Sequence, residues 1–322
     1  MLKVYDSQGQ GLVKREDADP CGSAVWIDLL NPTKEEEKYV EQELGIQIPT
    51  REEMAEIETS SRLYQESGAH FMTATVIFQM DSPEPQTTPI TFILTDSRLI
   101  TVRYAEPKAF LLFMGRAAKG DTDCNTPLSI MLGILEAIID READLIERLQ
   151  GETDRIAQTV FGVTGGSGTH TRRFDVILKN IGREGEITSK ARDSLLSLGR
   201  LLTYLGHVAN LRKDSKGIRE RIKTEVRDVQ SLADHVNYMN GRITFLLDAS
   251  LGLVTIDQNQ IIKLFSVVAV VLLPPTLVAS IYGMNFHNMP ELDWYYGYPL
   301  ALIIMLLSAL LPFLYFRRKG WL

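Results

Sequence analysis

The pattern of polar and apolar positions changes twice along this chain of 322 residues. Up to residue 127, β-branched and aromatic runs alternate with turn residues: AVWIDLL (24–30), FMTATVIFQM (71–80), TFILT (91–95) and RLITVRY (98–104). Runs of that length and composition predict strands. Thr95-Asp96-Ser97-Arg98 reads as a hairpin turn, and PTKEEEKYVEQELG (32–45) as an N-capped acidic helix with a glycine stop. Eight prolines fall in residues 1–127 and none in 128–273. Interior proline costs a helix ~3 kcal/mol, so the proline-free stretch predicts long helices. Apolar residues recur at helical spacing in LSIMLGILEAIIDREADLIERL (128–149), FDVILKNIG and SLLSLGRLLTYLGHV. FGVTGGSGTH (161–170) interrupts them as a Gly-rich turn. A shorter break lies near Lys213-Asp214-Ser215, after which one helix is expected from about residue 215 into the apolar C-terminal region.

That region holds two uncharged runs, Leu264 to Tyr282 (19 residues) and Gly297 to Phe316 (20 residues). Each matches the ~20 residues that cross a ~30 Å hydrocarbon layer. Tyr282, Trp294, Tyr295, Tyr296 and Tyr298 flank the connection as an interfacial aromatic belt would. Lys263 and Arg317-Arg318-Lys319 lie at one end of the spans, whereas residues 283–296 hold no Lys or Arg. The positive-inside rule then places the soluble part and the C-terminus in the cytoplasm and the connection outside. The expected fold class is α+β: a cytoplasmic α/β domain (1–127), a cytoplasmic helical region with a stalk (128–258), a first transmembrane helix (259–282), an external loop (283–296), a second transmembrane helix (297–317) and a basic tail (318–322).

Charge sharpens the division. The formal net charge is −7, but only four basic and two acidic residues follow position 258, leaving 30 basic against 39 acidic residues before it. An acidic soluble part argues against nucleic acid, which demands clustered Lys and Arg, and suits cationic partners. Cys21 and Cys124 have no metal-site or disulfide spacing and read as reduced thiols. The N-terminus has no apolar run of signal-peptide type.

The sequence offers no reaction centre, so no enzymatic activity is expected. Gly165-Gly166-Ser167-Gly168 lacks the Lys-Ser/Thr that a phosphate-binding loop needs. The five histidines are scattered, and the adjacent Asp234-His235 point to different helix faces. The informative feature is a stripe: Asp248, Thr255, Asn259, Ile262, Phe265, Ala269, Leu273, Thr276 and Ser280 follow one another by steps of three, four or seven, which keeps them on one helical face. The stripe is polar, then apolar from 262 to 273, then polar again. Copies around an axis would enclose a water-accessible path with an apolar constriction. Tight helix contacts would use Ser, Thr and Ala as well, so both readings stay open on the pattern alone. Two spans per chain cannot enclose a path, so a pore requires a ring of subunits whose number the sequence does not give.

Tyr282-Gly283-Met284-Asn285-Phe286 with Met289-Pro290-Glu291-Leu292 resembles the CorA family of magnesium channels. FLLDASLG (245–252), Gln258-Asn259, Lys263, Pro274-Pro275-Thr276, Asp234-His235 and the end RRKGWL (317–322) extend the likeness over the chain. The resemblance implies a homopentamer in a bacterial inner membrane, driven by membrane potential, with Mg²⁺ as transported and regulatory ion, Co²⁺ and Ni²⁺ as further candidate ions, and no cofactor. It implies that Gly283, Met284 and Asn285 form a selectivity filter in which Asn285 meets hydrated Mg²⁺. Thr276 and Asn259 become further polar rings, Asp248 an acidic ring at the cytoplasmic mouth, and Ile262, Phe265 and Leu273 the hydrophobic gate. Glu291 and Asp293 in the external loop would concentrate cations. Glu225, Asp228 and Asp234 are candidates for regulatory Mg²⁺ between subunits, although Thr224 stands where the family's best-known stalk carboxylate is expected. Two rivals remain: the zinc-transporting, ZntB-like branch of the superfamily, disfavoured by Met284 and Glu291, and a membrane-anchored cation sensor that transports nothing.

Overall fold

A computed structural model describes the chain except residues 10, 16–21, 23, 163–169, 213–214, 286–288, 291–293 and 322. Strands β1 (Leu2–Gln8), β2 (Gly11–Lys14) and β3 (Trp26–Leu30) come first, followed by helices α1 (Lys34–Leu44), α2 (Arg51–Met54) and α3 (Thr59–Arg62). Next come β4 (Leu63–Glu66), β5 (Ala69–Phe78), β6 (Gln86–Leu94), β7 (Leu99–Arg103) and α4 (Lys108–Lys119). Four long helices finish the chain: α5 (Pro127–Gly162), α6 (His170–Leu211), α7 (Lys216–Tyr282) and α8 (Gly297–Arg318). Two compact units result, one chiefly of residues 1–166 and 175–247, the other chiefly of residues 248–322, with α7 contributing to both.

In the first unit seven strands form a sheet ordered β2-β1-β3-β7-β6-β5-β4, antiparallel except for the central β3–β7 pair. The apolar runs 24–30, 71–80, 91–95 and 98–104 are β3, β5, β6 and β7. They read as nearly continuous apolar runs because both faces are covered. Trp26, Met72, Ala74, Phe92 and Leu99 face one core with α4, α5, α6 and the first half of α7. Ile27, Leu29, Phe71, Ile93, Ile100 and Val102 face a second core with Val40 of α1 and Met54 of α2. The expected turn at 95–98 closes through Thr95 N–H to Arg98 O at 2.9 Å. The acidic helix α1 starts with a capping box, Thr33 with Glu36, and stops at Gly45, whose φ of +64° favours glycine.

The sheet's centre is tied by polar groups. Arg103 donates from Nε to Asp28 Oδ1 at 2.9 Å and from Nη2 to Oδ2 at 2.8 Å. Thr101 Oγ1 also donates to Asp28, and Trp26 Nε1 donates to Thr101 Oγ1. Both charges are buried, and the added hydrogen bonds satisfy lone pairs that burial would otherwise strand.

At the other side of the sheet an edge is left open. β4 pairs only with Ala69–Met72, so the remainder of β5 has no strand on that side. Helix side chains take the place of the missing strand: Thr75 N–H donates to Ser197 Oγ at 2.9 Å, and Ser194 Oγ donates to Thr75 O at 2.9 Å. The Ile77 N–H reaches the carboxyl of Glu142 on α5. Glu142 is wholly buried and in hydrogen-bond contact with Ser194. Burial pushes its carboxyl up to about 8, opposed by the bonds from Ser194 and Ile77. The folded chain therefore holds this proton more tightly than the unfolded chain, whose carboxyl titrates near 4.5. Its contribution to stability falls as pH rises through the interval between those two values.

Glu142→Gln is expected to flatten the decline in melting temperature across that interval in detergent-solubilised protein. Glu142→Ala, which strands a buried N–H at a cost of ~1–3 kcal/mol, is expected to lower melting at every pH. An unchanged pH slope for Glu142→Gln would contradict the assignment.

Candidate functional site

The nine stripe residues all lie on α7, which runs without interruption from Lys216 to Tyr282. At 100° per residue they fall within an arc of about 120°. All nine are exposed in the single chain, including Ile262 at 61%, Phe265 at 69% and Leu273 at 65%. Over the membrane-length part the cover lies opposite: Val267 is buried, and Val271, Pro274, Pro275, Val278 and Tyr282 are half-buried. Two candidate membrane spans are present, one within α7 and the other α8.

The two threonine hydroxyls on the stripe have a defined polarity. Thr255 Oγ1 donates to Leu251 O at 2.9 Å, and Thr276 Oγ1 donates to Leu272 O at 2.7 Å. Each hydroxyl hydrogen is thereby used within the helix, and the lone pairs that remain can accept. Such oxygens suit the water hydrogens that a hydrated cation turns outward. Pro274 and Pro275 sit inside α7 beside Leu273. They lack the N–H groups that the carbonyls of Val270 and Val271 would otherwise meet, which weakens the helix next to its apolar stretch.

α7 ends at the Gly-Met-Asn tripeptide. Gly283 N–H donates to Ala279 O at 2.9 Å and Met284 N–H to Ile281 O at 3.2 Å. A Cβ on residue 283 would stand 3.2 Å from Ala279 O, so a side chain there crowds the closing turn. Gly283, Met284 and Asn285 are exposed just past the helix. Glu291 and Asp293 lie outside the described residues, as do Phe286 and His287. Trp294, Tyr295 and Tyr296 form edge-to-face pairs before α8, with ring centroids 5.1 and 6.1 Å apart. Beyond the other end of α8, Trp321 stacks on Phe316 at 5.3 Å and has two ammonium groups over its ring, Lys263 Nζ at 5.9 Å and Lys319 Nζ at 5.2 Å.

The regulatory candidates separate. Glu225 and Asp228 of α7 share an acidic cluster with Glu136 and Asp140 of α5. Burial, then Glu136, Asp228 and Asp140, pushes the Glu225 carboxyl up to about 7. Arg221 acts against this, but Glu136 already binds its guanidinium in a fork at 2.8 and 2.9 Å. Asp234 is exposed and takes no part in the cluster. Glu136 and Asp140 escaped the sequence reading. Their i, i+4 spacing shows that they share a face, but only the fold brings that face to Glu225. Among the described residues no three His, Cys, Asp or Glu side chains are placed to hold a metal ion within one chain.

The family description "CorA-like Mg2+ transporter protein" matches residues 22–318. The magnesium transport protein CorA of Escherichia coli is 35% identical over 324 residues, covering 100% of both chains. That of Pectobacterium atrosepticum is 34% identical over 95% of each. The chain belongs to the CorA family of Mg²⁺ transporters, the class of two-span membrane transporters to which the tripeptide and spans pointed. Solved structures show the same fold: the complete CorA magnesium transporter of Methanocaldococcus jannaschii has a TM-score of 0.74 at 18% identity, covering 100% of this chain and 99% of its own. Full-length CmaX gives 0.70 at 16%, covering 99% and 97%. The ZntB cytoplasmic domain of Vibrio parahaemolyticus gives 0.55 at 9%, covering 78% and 96%.

Removing the Trp321 ring is expected to free the tail. Each exposed cation–π contact is worth ~0.5–1 kcal/mol, so Trp321→Ala should speed tryptic cleavage at residues 317–319 by about two- to fivefold or more. Unchanged cleavage would show that the ring does not hold the tail.

Proposed function

We propose that this protein is a homo-oligomeric channel, a homopentamer on the family's pattern, that takes up Mg²⁺ across a bacterial inner membrane. The observation that carries the reading is the α7 stripe, polar at both ends and apolar between, exposed along its whole length and opposite the covered face of the same helix. Neighbouring copies supply the cover that a lone chain lacks. The 35% identity to the E. coli magnesium transport protein over its full length supports Mg²⁺ as cargo. Transport, rather than catalysis, is the role that this arrangement fits.

The chemistry follows from the ion. Mg²⁺ demands six oxygens at ~2.0–2.1 Å and sheds water reluctantly, so it is met hydrated. The Asn285 amide carries no charge and can bind those waters without stripping them, whereas a carboxylate ring there would retain a divalent ion. Acceptor oxygens of Thr276 and Thr255, with Asn259 and Ser280, continue the path. Ile262, Phe265, Ala269 and Leu273 form the constriction that closes by excluding water. A double charge moving down 100 mV gains about 4.6 kcal/mol, so no nucleotide is required. Lys263, Arg317, Arg318 and Lys319 support cytoplasmic termini and an outer loop in which Glu291 and Asp293 gather cations. Intracellular Mg²⁺ closes the channel, and Glu225 with Asp228 is the best-supported regulatory pair because its neighbours Glu136 and Asp140 add negative charge.

The test is flux into dye-loaded liposomes under an inside-negative potential. Wild type should take up Mg²⁺, and Asn285→Ala should slow uptake at least tenfold or abolish discrimination against Ca²⁺. Unchanged selective uptake by Asn285→Ala would remove that residue from the filter. Zinc uptake that follows a proton gradient, with little Mg²⁺ flux, would assign the protein to the zinc branch, and no flux from a folded oligomer would leave a sensor.

A further inference from the structure

The short reach of β4 leaves a notch beside β5. Between the α3–β4 corner and α6 lies a cavity of about 430 Å³. Three cationic side chains line it, Arg62, Lys190 and Arg200, against one carboxylate, Asp193. Arg62 is anchored, its Nη1 donating to Thr75 Oγ1 at 3.0 Å and its Nε to Glu56 O. Lys190 Nζ donates to Pro85 O at 3.1 Å and pairs with Glu186 at 2.8 Å. No protein group among the described residues accepts from Arg200, one turn beyond Ser197. Burial, and the like charge of Arg200, hold the Arg62 guanidinium below its ordinary range. Ser197 Oγ accepts from Thr75 N–H, which leaves its own hydrogen available to the cavity.

A second cavity, of about 560 Å³, shares Thr59, Leu63, Leu196 and Arg200 with the first and continues over Leu195, Val226 and Val229. One chamber is therefore cationic and rich in hydroxyls, and the other largely apolar, with Arg200 lining both. We propose that together they bind an organic phosphate. The phosphate sits on Arg62, Arg200 and the Ser197 hydroxyl, and the apolar or planar remainder lies along the adjoining groove. Guanidinium forks match phosphate oxygens in pairs, and the volumes fall in the ~300–1,000 Å³ range of small-molecule sites. The ion path is formed by other residues, so this site is separate from conduction.

The experiment is titration calorimetry on the full-length protein in detergent, with inorganic phosphate, AMP and ATP as probes. EDTA is present because Mg²⁺ competes for phosphate oxygens. Wild type is expected to bind AMP or ATP more tightly than inorganic phosphate. Arg200→Glu, at an exposed position without a protein partner, should weaken that binding at least tenfold while the melting temperature is unchanged. Val226→Gln, at a position that lines the apolar groove alone and adds no charge, should weaken nucleotide binding and spare inorganic phosphate. Absence of binding by all three probes, or nucleotide binding that Arg200→Glu leaves intact, overturns the proposal. Inorganic phosphate binding as tightly as both nucleotides overturns the role given to the apolar groove.

Discussion

A backbone that enters hydrocarbon has to satisfy its own N–H and C=O groups, and most of what distinguishes this chain follows from that constraint. Each such group left unpaired in lipid costs several kcal/mol, so a helix is the form open to a segment that crosses alone. α7 and α8 meet the condition by i, i−4 bonding except at their interior prolines, Pro274 and Pro275 in α7 and Pro312 in α8. Side chains are then released from any duty to the backbone and can be arranged by face. Hydroxyls that do bond to the helix, at Thr255 and Thr276, spend a hydrogen and keep their lone pairs. The rule is relaxed at Pro274 and Pro275, where two carbonyls lose their helical donors beside the apolar end of the stripe.

The same accounting governs the sheet domain, with a different solution. β5 cannot pair along its whole length because β4 is four residues long. An uncovered edge invites pairing with other chains. Here two serines and a buried carboxyl take up the exposed backbone, and α6 seals the position. The ends of the edge that remain uncovered become the walls of a cavity, lined by Arg62, Lys190 and Arg200 against Asp193. Strand economy and a candidate binding notch are two consequences of one short strand.

The elements legible in the sequence were those whose signal is local. The capping box of Thr33 and Glu36, the glycine at 45, and the runs that became β3, β5, β6 and β7 state their structure within a few residues. β1, β2 and β4 were not legible, since LKVYDSQ, GLVK and LYQE are short and mix charged or polar residues with few apolar ones, as edge-side strands do. α4 follows Pro107 and precedes Gly120, boundaries that could have marked it, but its run KAFLLFMGRAAK was passed over. The stripe of α7 was legible because periodicity is a property of one helix. The partners of Glu225 were not, because Glu136 lies 89 residues earlier and the meeting of α5 with α7 depends on tertiary contacts. Arg62 and Arg200 are separated by still more chain.

On the proposed reading of the stripe as the lining of an ion path, charge and hydration together account for polar residues at its ends and apolar ones in its middle. A hydrated divalent ion is large and holds its shell tightly, so neutral acceptors are enough to guide it, and fixed charge is better placed away from the narrowest part. The chain follows that division: Asp248 is the sole acidic member of the nine, at the end of the stripe remote from the Gly-Met-Asn turn. The acidic groups that do cluster, Glu225, Asp228, Glu136 and Asp140, precede the apolar segment in the sequence, and burial, with repulsion from its three neighbours, pushes the Glu225 carboxyl up to about 7. A divalent cation relieves that repulsion more effectively than a proton because it compensates two charges at once. On the proposed reading, the cluster reports the concentration of the ion, whereas the stripe, neutral through its constriction, lets it pass.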